Sequence, residues 1–403
     1  MTQVDDRADS AVRHSWKRVD GVDLLRGLAI FCVLMNHVNV RLRIHDVPYT
    51  QGIPQPLVHA MVGNGQFGVQ IFFAISGFLI TSITLKRWGA LPDIKIRDFY
   101  LLRLARIGPL LLALLAVLSI LHFTGLDDFV VHAKTGGLGR ALLAALTFHI
   151  NVLEAHRGYL PANWDVMWSL SVEEMFYLFF PIAAWLLGRV KLFIPFLFVF
   201  IVLGPFGRTV LTHGNDIWAD YSYLGGMDAI ALGCLTALIA SRAKLSPTAL
   251  RILAWTGLAI VIGLLAFSGF PFLFPLGATG LEETLLAIGA CMVIIASART
   301  QWECPAVLRP FRRMGQRSYE VYLTHMFVVF GFLHVFLAIG KPMWFVPVFF
   351  IATIIVATIL GDLVASLYSD RMNATLRRQW GEGKLGSALD PDGPATRLAS
   401  ASE

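Results

Sequence analysis

The sequence contains little charge and little cysteine. Of its 403 residues only 15% are Asp, Glu, Lys or Arg, whereas a soluble domain carries about 25%. The four cysteines lie far apart in the chain and form no CxxC pair or metal-ligand spacing. We therefore predict small packing residues rather than a redox centre or a metal site. These cysteines are Cys32, Cys234, Cys291 and Cys304.

The chain also lacks the apolar core of a cleavable signal peptide near its start. Residues 1–19 are polar and mixed in charge, so we expect the first apolar segment to be a retained membrane anchor. The net charge is +6 at pH 7. In a membrane protein, basic loops account for such an excess, and we expect no nucleic-acid partner.

Apolar residues are abundant and fall in long runs. They make up 56% of the chain, and the mean hydropathy is +0.65. A helix that spans a bilayer needs about 20 mostly apolar residues, because hydrocarbon offers the backbone no hydrogen-bond partners. The pattern predicts an all-α integral membrane protein with about ten transmembrane helices. The predicted spans are 22–40, 67–85, 107–124, 166–187, 191–207, 223–241, 250–268, 279–298, 319–339 and 344–367.

The basic residues predict how these spans are oriented. Most Lys and Arg residues fall in the two terminal segments and in alternate loops, at 86–106, 189–191, 242–251 and 299–317. Loops rich in Lys and Arg stay on the cytoplasmic side of a membrane. Both termini are therefore predicted to be cytoplasmic, in a multi-pass protein of a cell membrane.

Three domains follow from this pattern. We predict a cytoplasmic segment at 1–19, a transmembrane domain at 20–370, and a cytoplasmic, largely disordered tail at 371–403 that is rich in Gly, Ala, Ser and Pro. The apolar stretch 138–152 is too short to span. It is expected to be an interfacial or re-entrant element of an outer loop.

The polar residues of the first predicted span include Asp23, Arg26, Asn36 and His37. Arg26 and His37 are eleven residues apart, which is close to three helical turns, so they lie on one face about 16 Å apart along the axis. Ionisable residues inside a span usually face the bundle interior or a water-filled cavity. The alternative is that Arg26 reaches the cytoplasmic interface and His37 caps the outer end.

Arg103 and Arg106 form an i,i+3 pair just before the third predicted span. Guanidinium groups bind phosphate oxygens with two parallel hydrogen bonds, so the pair suits a nucleotide-like ligand at the inner surface. Loop arginines that only set topology are the alternative.

Two adjacent carboxylates open the fourth predicted span. Glu173 and Glu174 follow Trp168 and Ser169, and the predicted orientation puts them in the outer half, level with His37. A carboxylate that accepts a hydrogen bond from an imidazole is the usual partner of a histidine general base. The alternative is an interfacial aromatic belt with two solvated acids.

Other features are weaker. Ser76 lies beside Gly77 in mid-span, a pair more often used for close packing than for catalysis. Arg208 and Asp228 either pair with each other or line a path for the acceptor. Tyr322 and His325, near the inner end of the ninth predicted span, either line a donor tunnel or bond across helices.

Together these motifs resemble the acyltransferase-3 family of integral membrane acyltransferases. The resemblance covers roughly residues 18–371, and its motifs occur in the family's order. They are Arg26 and His37 in the first helix, FFAISGFLI at 72–80, RLAR at 103–106, WSLSVEEMFYLFFP at 168–181 and SYEVYLTH at 318–325.

The resemblance implies transfer of an acyl group, commonly acetyl, from cytoplasmic acyl-coenzyme A to a hydroxyl of a carbohydrate or glycoconjugate, in a bacterial inner membrane. It also implies that His37 is catalytic and that Arg103 and Arg106 bind the donor. Relatives usually carry Arg before the acid of the sixth-span motif, but here Met227 precedes Asp228. Many relatives append a soluble SGNH-type hydrolase domain, for which this sequence leaves no residues, so direct delivery to the acceptor is expected.

The expected mechanism places the phosphates of coenzyme A on the two arginines of the RLAR motif, with help from Arg26. Tyr322 and His325 line the path of the pantetheine arm. His37 deprotonates the acceptor hydroxyl while Glu173 or Glu174 holds the imidazole. A covalent acyl-His intermediate uses the same residues.

Two other classes of protein place the same residue types inside spans. They are a proton-coupled transporter and a membrane sensor or binding protein.

Overall fold

The computed structural model describes residues 18–189, 191–300 and 302–380. Every regular element in these ranges is a helix. The ten long helices are α1 Asp20–Ile44, α2 Gly65–Trp88, α3 Ile96–Phe123, α4 Met167–Arg189, α5 Phe193–Arg208, α6 Tyr223–Arg242, α7 Pro247–Phe267, α8 Leu281–Thr300, α9 Ser318–Ala338 and α10 Phe345–Val364.

Shorter helices lie between them. Those of four or more residues are Gln55–Val58, Gly137–Leu146, Ile150–Arg157, Ala162–Asp165, Asp216–Tyr221, Phe274–Ala278, Arg309–Gln316 and Asp370–Gln379, together with the π-helical turns His59–Gly63 and Ala365–Ser369.

Nine helices in the described part of the chain are long and apolar enough to cross a membrane. This confirms the predicted all-α membrane class. The fifth predicted span, 191–207, is helical but forms only the 16 residues of α5. At 1.5 Å per residue α5 is about 24 Å long, which is shorter than a hydrocarbon core of about 30 Å. The orientation of the termini stays a prediction.

The apolar stretch 138–152 is broken rather than continuous. The helix Gly137–Leu146 ends, and Ile150–Arg157 begins after Phe148, whose φ is +56°. The hydroxyl of Tyr223 donates to the Phe148 carbonyl over 2.7 Å, so α6 holds the break in place. Neither helix reaches the length of a span.

The helical part of the chain extends past the predicted transmembrane domain. After α10 the chain continues through a π-helical turn into the helix Asp370–Gln379, so the start of the predicted tail is helical. Residues 1–17 and 381–403, which hold most of the two predicted terminal segments, lie outside the described residues.

Close packing between α2 and α6 holds the centre of the bundle together. A Cβ atom on Gly77 would overlap the carbonyl of Ile230, and one on Gly233 would overlap the carbonyl of Ala74. Small residues on both helices thus bring the two backbones into contact, which is how spanning helices associate when lipid removes the hydrophobic driving force. The four cysteines are buried free thiols.

Candidate active site

A cavity of about 120 Å³ lies among α1, α2, α3, α4 and α9. We call it the arginine cavity, because three arginines reach it. Its polar lining comprises Arg26, Ser76, Arg103, Arg106, Ser169, Glu173, Ser318, Tyr319 and Tyr322. The structure therefore brings together four of the five residues predicted to bind the donor, and the fifth, His325, lies elsewhere.

The carboxylates predicted to hold His37 contact an arginine instead. Glu174 Oε1 lies 2.9 Å from Arg103 Nη2, and Glu173 Oε1 lies 3.9 Å from the same nitrogen. The reason is the length of α3, which begins at Ile96 rather than at the predicted 107. Arg103 is thereby carried into the bundle, where an unpaired charge is costly and a carboxylate partner is needed.

Arg103 is held from a second side by an aromatic ring. Its guanidinium carbon lies 3.6 Å from the centroid of the Tyr177 ring. The Tyr177 hydroxyl donates to Glu173 over 2.6 Å, and the Ser76 hydroxyl bonds to both groups. Ser76 is thus part of a polar cluster in the arginine cavity, while Gly77 provides the close packing.

Arg106 pairs with a carboxylate that the sequence analysis did not select. Its Nη1 lies 3.3 Å from Glu320 Oε1, and the Glu320 side chain is fully buried. The guanidinium also lies over the Tyr319 ring, 5.6 Å from the centroid. The sequence did contain a signal for this residue, since Glu320 is the second residue of the ninth predicted span, where an acidic side chain is unusual.

His37 pairs with a second histidine. Its Nδ1 lies 3.1 Å from His325 Nε2, and the ring centroids are 4.9 Å apart. The same Nδ1 lies 3.0 Å from the Val33 carbonyl, and His325 Nδ1 lies 2.7 Å from the Tyr322 carbonyl. Of the two roles predicted for His325, the structure shows the bond across helices, from α9 to α1.

A larger cavity of about 580 Å³ opens beside His37. We call it the histidine cavity. Its polar lining comes from the end of α1, from residues 127–135, from residues 159–165 and from the end of the helix Asp216–Tyr221. It comprises Asn36, His37, Arg41, Asp127, Asp128, His132, Lys134, Thr135, Tyr159, Asp165 and Tyr221.

One wall of the histidine cavity combines an aromatic stack with a carboxyl pair. Trp168 stacks on Tyr221 with centroids 4.1 Å apart, and the Tyr221 hydroxyl donates to Asp165 over 3.0 Å. Glu154 lies behind Asp165, fully buried, and accepts from the Leu160 amide over 3.0 Å. Burial and the neighbouring Asp165 raise the pKa of Glu154 well above its ordinary value.

A series of contacts connects residues of the two cavities. Tyr322 lines the arginine cavity and its carbonyl accepts from His325, which in turn contacts His37 in the histidine cavity. On the arginine side, the Ser169 and Tyr322 hydroxyls lie 2.7 Å apart. The two cavities are thus linked through residues of α9 and α1, with His37 lining the histidine cavity alone.

Two further predicted residues pair with each other away from both cavities. Arg208 Nη2 lies 2.8 Å from Asp228 Oδ2, which confirms the predicted pairing. Arg208 Nε also lies 2.7 Å from Glu283. Neither Arg208 nor Asp228 lines the arginine or the histidine cavity.

Asp23 anchors the beginning of α1. Its carboxylate lies 2.8 Å from Arg18 Nε and accepts from Gln316 Nε2 over 3.1 Å. The side chain is buried. Its contacts are those of a structural residue that fixes α1 against the helix Arg309–Gln316.

Comparison with known proteins places these features in a family. A family model described as an acyltransferase domain, Acyl_transf_3, matches residues 19–362. Peptidoglycan O-acetyltransferase OatA of Listeria monocytogenes is 26% identical over 340 residues, which cover 78% of this chain and 50% of that protein. O-acetyltransferase OatA of Staphylococcus aureus is 24% identical over 369 residues, which cover 87% and 56%.

The chain therefore spans about half the length of these curated relatives. No solved structure matches it. The family match extends over most of the chain and includes every motif on which the resemblance rested. The chain belongs to the acyltransferase-3 family of membrane acyltransferases.

Proposed function

We propose that this protein is a membrane O-acyltransferase. It moves an acyl group, commonly acetyl, from acyl-coenzyme A in the arginine cavity to a hydroxyl of a carbohydrate or glycoconjugate in the histidine cavity. The observation that carries the proposal is the His37–His325 pair, in which His37 lines the histidine cavity and His325 bonds to Tyr322 of the arginine cavity. The names of the relatives support it, since both are O-acetyltransferases and one is named for peptidoglycan.

The donor binds through guanidinium groups that retain hydrogen-bonding capacity. Arg103 has a buried Nε without a hydrogen-bond partner, although its Nη2 is engaged by Glu174. A guanidinium has five N–H donors, so a carboxylate on one edge leaves others for a phosphate or a pantetheine amide. The carboxylate partners fix the direction of each guanidinium rather than competing for all of it.

The acceptor binds in the histidine cavity. Tyr159 offers an exposed ring next to Tyr221, with centroids 6.1 Å apart, and Asp165 offers carboxylate oxygens for hydroxyl groups. A few convergent polar groups beside aromatic rings are typical of sites for small polar ligands. A sugar ring meets both requirements, since it has hydroxyls at its edge and an apolar face.

One proton moves during the transfer, from the acceptor hydroxyl to the thiolate of coenzyme A. The acceptor oxygen attacks the thioester carbonyl carbon, the C–S bond breaks, and the hydroxyl proton passes to His37 Nε2. The imidazolium then returns that proton to the thiolate of coenzyme A. General-base catalysis of this kind contributes about 10²- to 10⁴-fold.

A covalent acyl-His37 intermediate uses the same lone pair and divides the reaction into two steps. Ping-pong kinetics and a burst of coenzyme A release distinguish this route from direct transfer. The family match favours an acyltransferase over the other two classes, a proton-coupled transporter and a membrane sensor.

We further propose that both termini face the cytoplasm of a bacterial cell, with the arginine cavity on that side.

The first experiment measures release of free coenzyme A thiol from acetyl-coenzyme A by the purified protein in detergent, with and without a peptidoglycan oligosaccharide. Wild type is expected to release thiol and His37→Ala to lose at least about 100-fold of that rate. The matched control is His156→Ala, because His156 is exposed and lines neither cavity. Full activity of His37→Ala, or no thiol release by the wild type, would contradict the proposal.

A further inference from the structure

The tautomers of both paired histidines follow from their backbone contacts. A carbonyl oxygen can only accept a hydrogen bond, so the nitrogen facing it must carry a proton. His325 Nδ1 faces the Tyr322 carbonyl at 2.7 Å, and His37 Nδ1 faces the Val33 carbonyl at 3.0 Å. Both neutral rings therefore carry the proton on Nδ1, and both have a lone pair on Nε2.

This assignment also fixes the direction of the bond between the rings. The contact joins His37 Nδ1 to His325 Nε2 over 3.1 Å. With a proton on the first atom and a lone pair on the second, His37 donates and His325 accepts. The Nδ1–H of His37 is thus shared between His325 and the Val33 carbonyl, and the only lone pair of the His37 ring is on Nε2.

The surroundings of the two rings differ. His325 is fully buried within α9, whereas His37 is half-buried and lines the histidine cavity. Glu173 and Glu174, the expected partners of the imidazole, are engaged with Arg103, Ser76 and Tyr177 instead. In the described part of the chain, the hydrogen-bond partners of the His37 ring are the Val33 carbonyl and His325.

We propose that His325 is the positioning residue of the catalytic base. It holds the His37 ring so that Nε2 meets the acceptor hydroxyl, and it accepts the Nδ1–H bond that strengthens when His37 becomes an imidazolium. This inference rests on the proposed function, in which His37 is the base. It reassigns His325 from the expected donor-binding role to the proton-transfer step.

A neutral histidine suits this place better than a carboxylate does. A hydrogen bond from an imidazolium is charge-assisted and therefore stronger than one from a neutral imidazole. The bond to His325 thus stabilises the transition state more than the ground state, and its loss lowers kcat rather than raising KM. Since His325 is neutral, it adds no permanent charge to the membrane interior, where an unpaired charge is costly.

The test compares two variants of His325 in the full-length protein. In His325→Gln the side-chain amide accepts from His37 with its oxygen and donates to the Tyr322 carbonyl with its nitrogen. In His325→Phe the ring is kept but the acceptor is lost. Initial rates of coenzyme A release and of acceptor acetylation, over a range of acetyl-coenzyme A concentrations, give kcat and KM for each.

We expect His325→Phe to lower kcat about 10- to 100-fold with KM for acetyl-coenzyme A unchanged. This is less than the ~10⁴-fold loss when the carboxylate that orients a triad histidine is exchanged, because the Val33 carbonyl still holds His37 Nδ1. His325→Gln is expected to recover most of the rate. If His325→Phe does not fold, His325→Met replaces it as the variant that lacks the imidazole acceptor.

Two outcomes would overturn the inference. The first is equal loss in the Gln and Phe variants, and the second is a raised donor KM with kcat unchanged, which would assign His325 to donor binding. His37→Ala is measured in the same series. If His37→Ala keeps wild-type activity, the proposed function is wrong. If His37→Ala is inactive but His325→Phe is fully active, only the positioning role of His325 is wrong.

Discussion

Two arginines inside the bundle look alike in sequence but differ in what surrounds them. Arg103 and Arg208 each pair with a carboxylate on a neighbouring helix, at 2.9 and 2.8 Å. The Arg103 side chain is 24% exposed and lines a cavity, whereas the Arg208 side chain is 5% exposed and lines none of the two described. Access to a cavity, rather than charge in a spanning helix, is the property that distinguishes Arg103 from Arg208.

The hydrogen-bond partners of the two guanidinium groups support this difference. Arg208 donates to Asp228, to Thr284 and to the carbonyls of Gly225 and Gly280, and so joins α5, α6 and α8. Arg103 has a buried Nε with no hydrogen-bond partner. Arg208 uses its donors inside the protein, whereas Arg103 lines a cavity and has an Nε that bonds to no described residue.

The largest expected effect is on stability and comes from the Arg208 clasp, by which we mean Arg208 with its partners Asp228 and Glu283. Arg208→Met leaves the buried Asp228 and Glu283 carboxylates unpaired, which costs about 3–5 kcal/mol. The measurement is thermal unfolding of the protein in detergent. Arg313→Met is the control, because Arg313 pairs with Asp362 at 2.6 Å on the surface and such pairs contribute about 1 kcal/mol or less. Equal melting temperatures in the two variants would contradict the clasp.

The next effect is on donor use and comes from Arg103. The double change Arg103→Gln/Glu174→Gln removes both charges of the closer pair, and the part-exposed Glu173 keeps its hydrogen bonds from Ser76 and Tyr177. We expect kcat/KM for acetyl-coenzyme A to fall about 10- to 100-fold, the value of one or two hydrogen bonds to a charged group, with a near-normal melting temperature. The matched variant Arg208→Gln/Asp228→Asn should lose stability but keep its activity per folded molecule. Unchanged donor kinetics in the first variant would remove Arg103 from the donor site.

A smaller effect is expected at the acceptor side. Tyr159→Ala removes an exposed ring of the histidine cavity, and the acceptor KM should rise about 3- to 10-fold, as expected for one aromatic contact. The donor KM should not change, in contrast to the Arg103 variant. Tyr159→Phe keeps the ring and should stay near wild type. A change in the donor KM instead would show that Tyr159 contacts the donor and not the acceptor.

The smallest effect concerns the pH dependence of stability. Because the pKa of Glu154 is raised by burial and by Asp165, the folded protein retains a proton that the unfolded chain releases. Stability is therefore full below the ordinary carboxyl pKa of about 4.5 and declines as pH rises above it. Melting temperatures across this range should show a shallower decline in Glu154→Gln than in wild type. Parallel curves would show that Glu154 does not titrate in this way.

Much of the fold was predictable, because long apolar runs in a membrane protein admit few alternatives to helices. The predicted spans failed where polar residues continue a helix. Residues 96–106 contain too many charges for a hydropathy pattern, yet they form the first turns of α3. The fifth predicted span, 191–207, comes close to the bounds of α5, but this helix is shorter than a hydrocarbon core.

The site was predictable in its members more than in its contacts. Arg26, Arg103, Arg106 and Tyr322 were selected and do line one cavity, and His37 lines the other. The predicted partner of His37 was wrong. The helix α3 begins about three turns earlier than predicted, and Arg103, on these added turns, contacts Glu174. Which of two polar residues meets a third depends on such shifts, and one sequence does not contain them.

The most direct test of the account is transfer across a sealed membrane. The protein is reconstituted into vesicles, the fraction with each orientation is determined, and labelled acetyl-coenzyme A and a peptidoglycan oligosaccharide are placed on opposite sides. If the arginine cavity admits the donor from one face and the histidine cavity admits the acceptor from the other, labelled acceptor accumulates only in this opposed arrangement. His37→Ala should form none. Acetylation that requires both substrates on the same side would contradict the central claim.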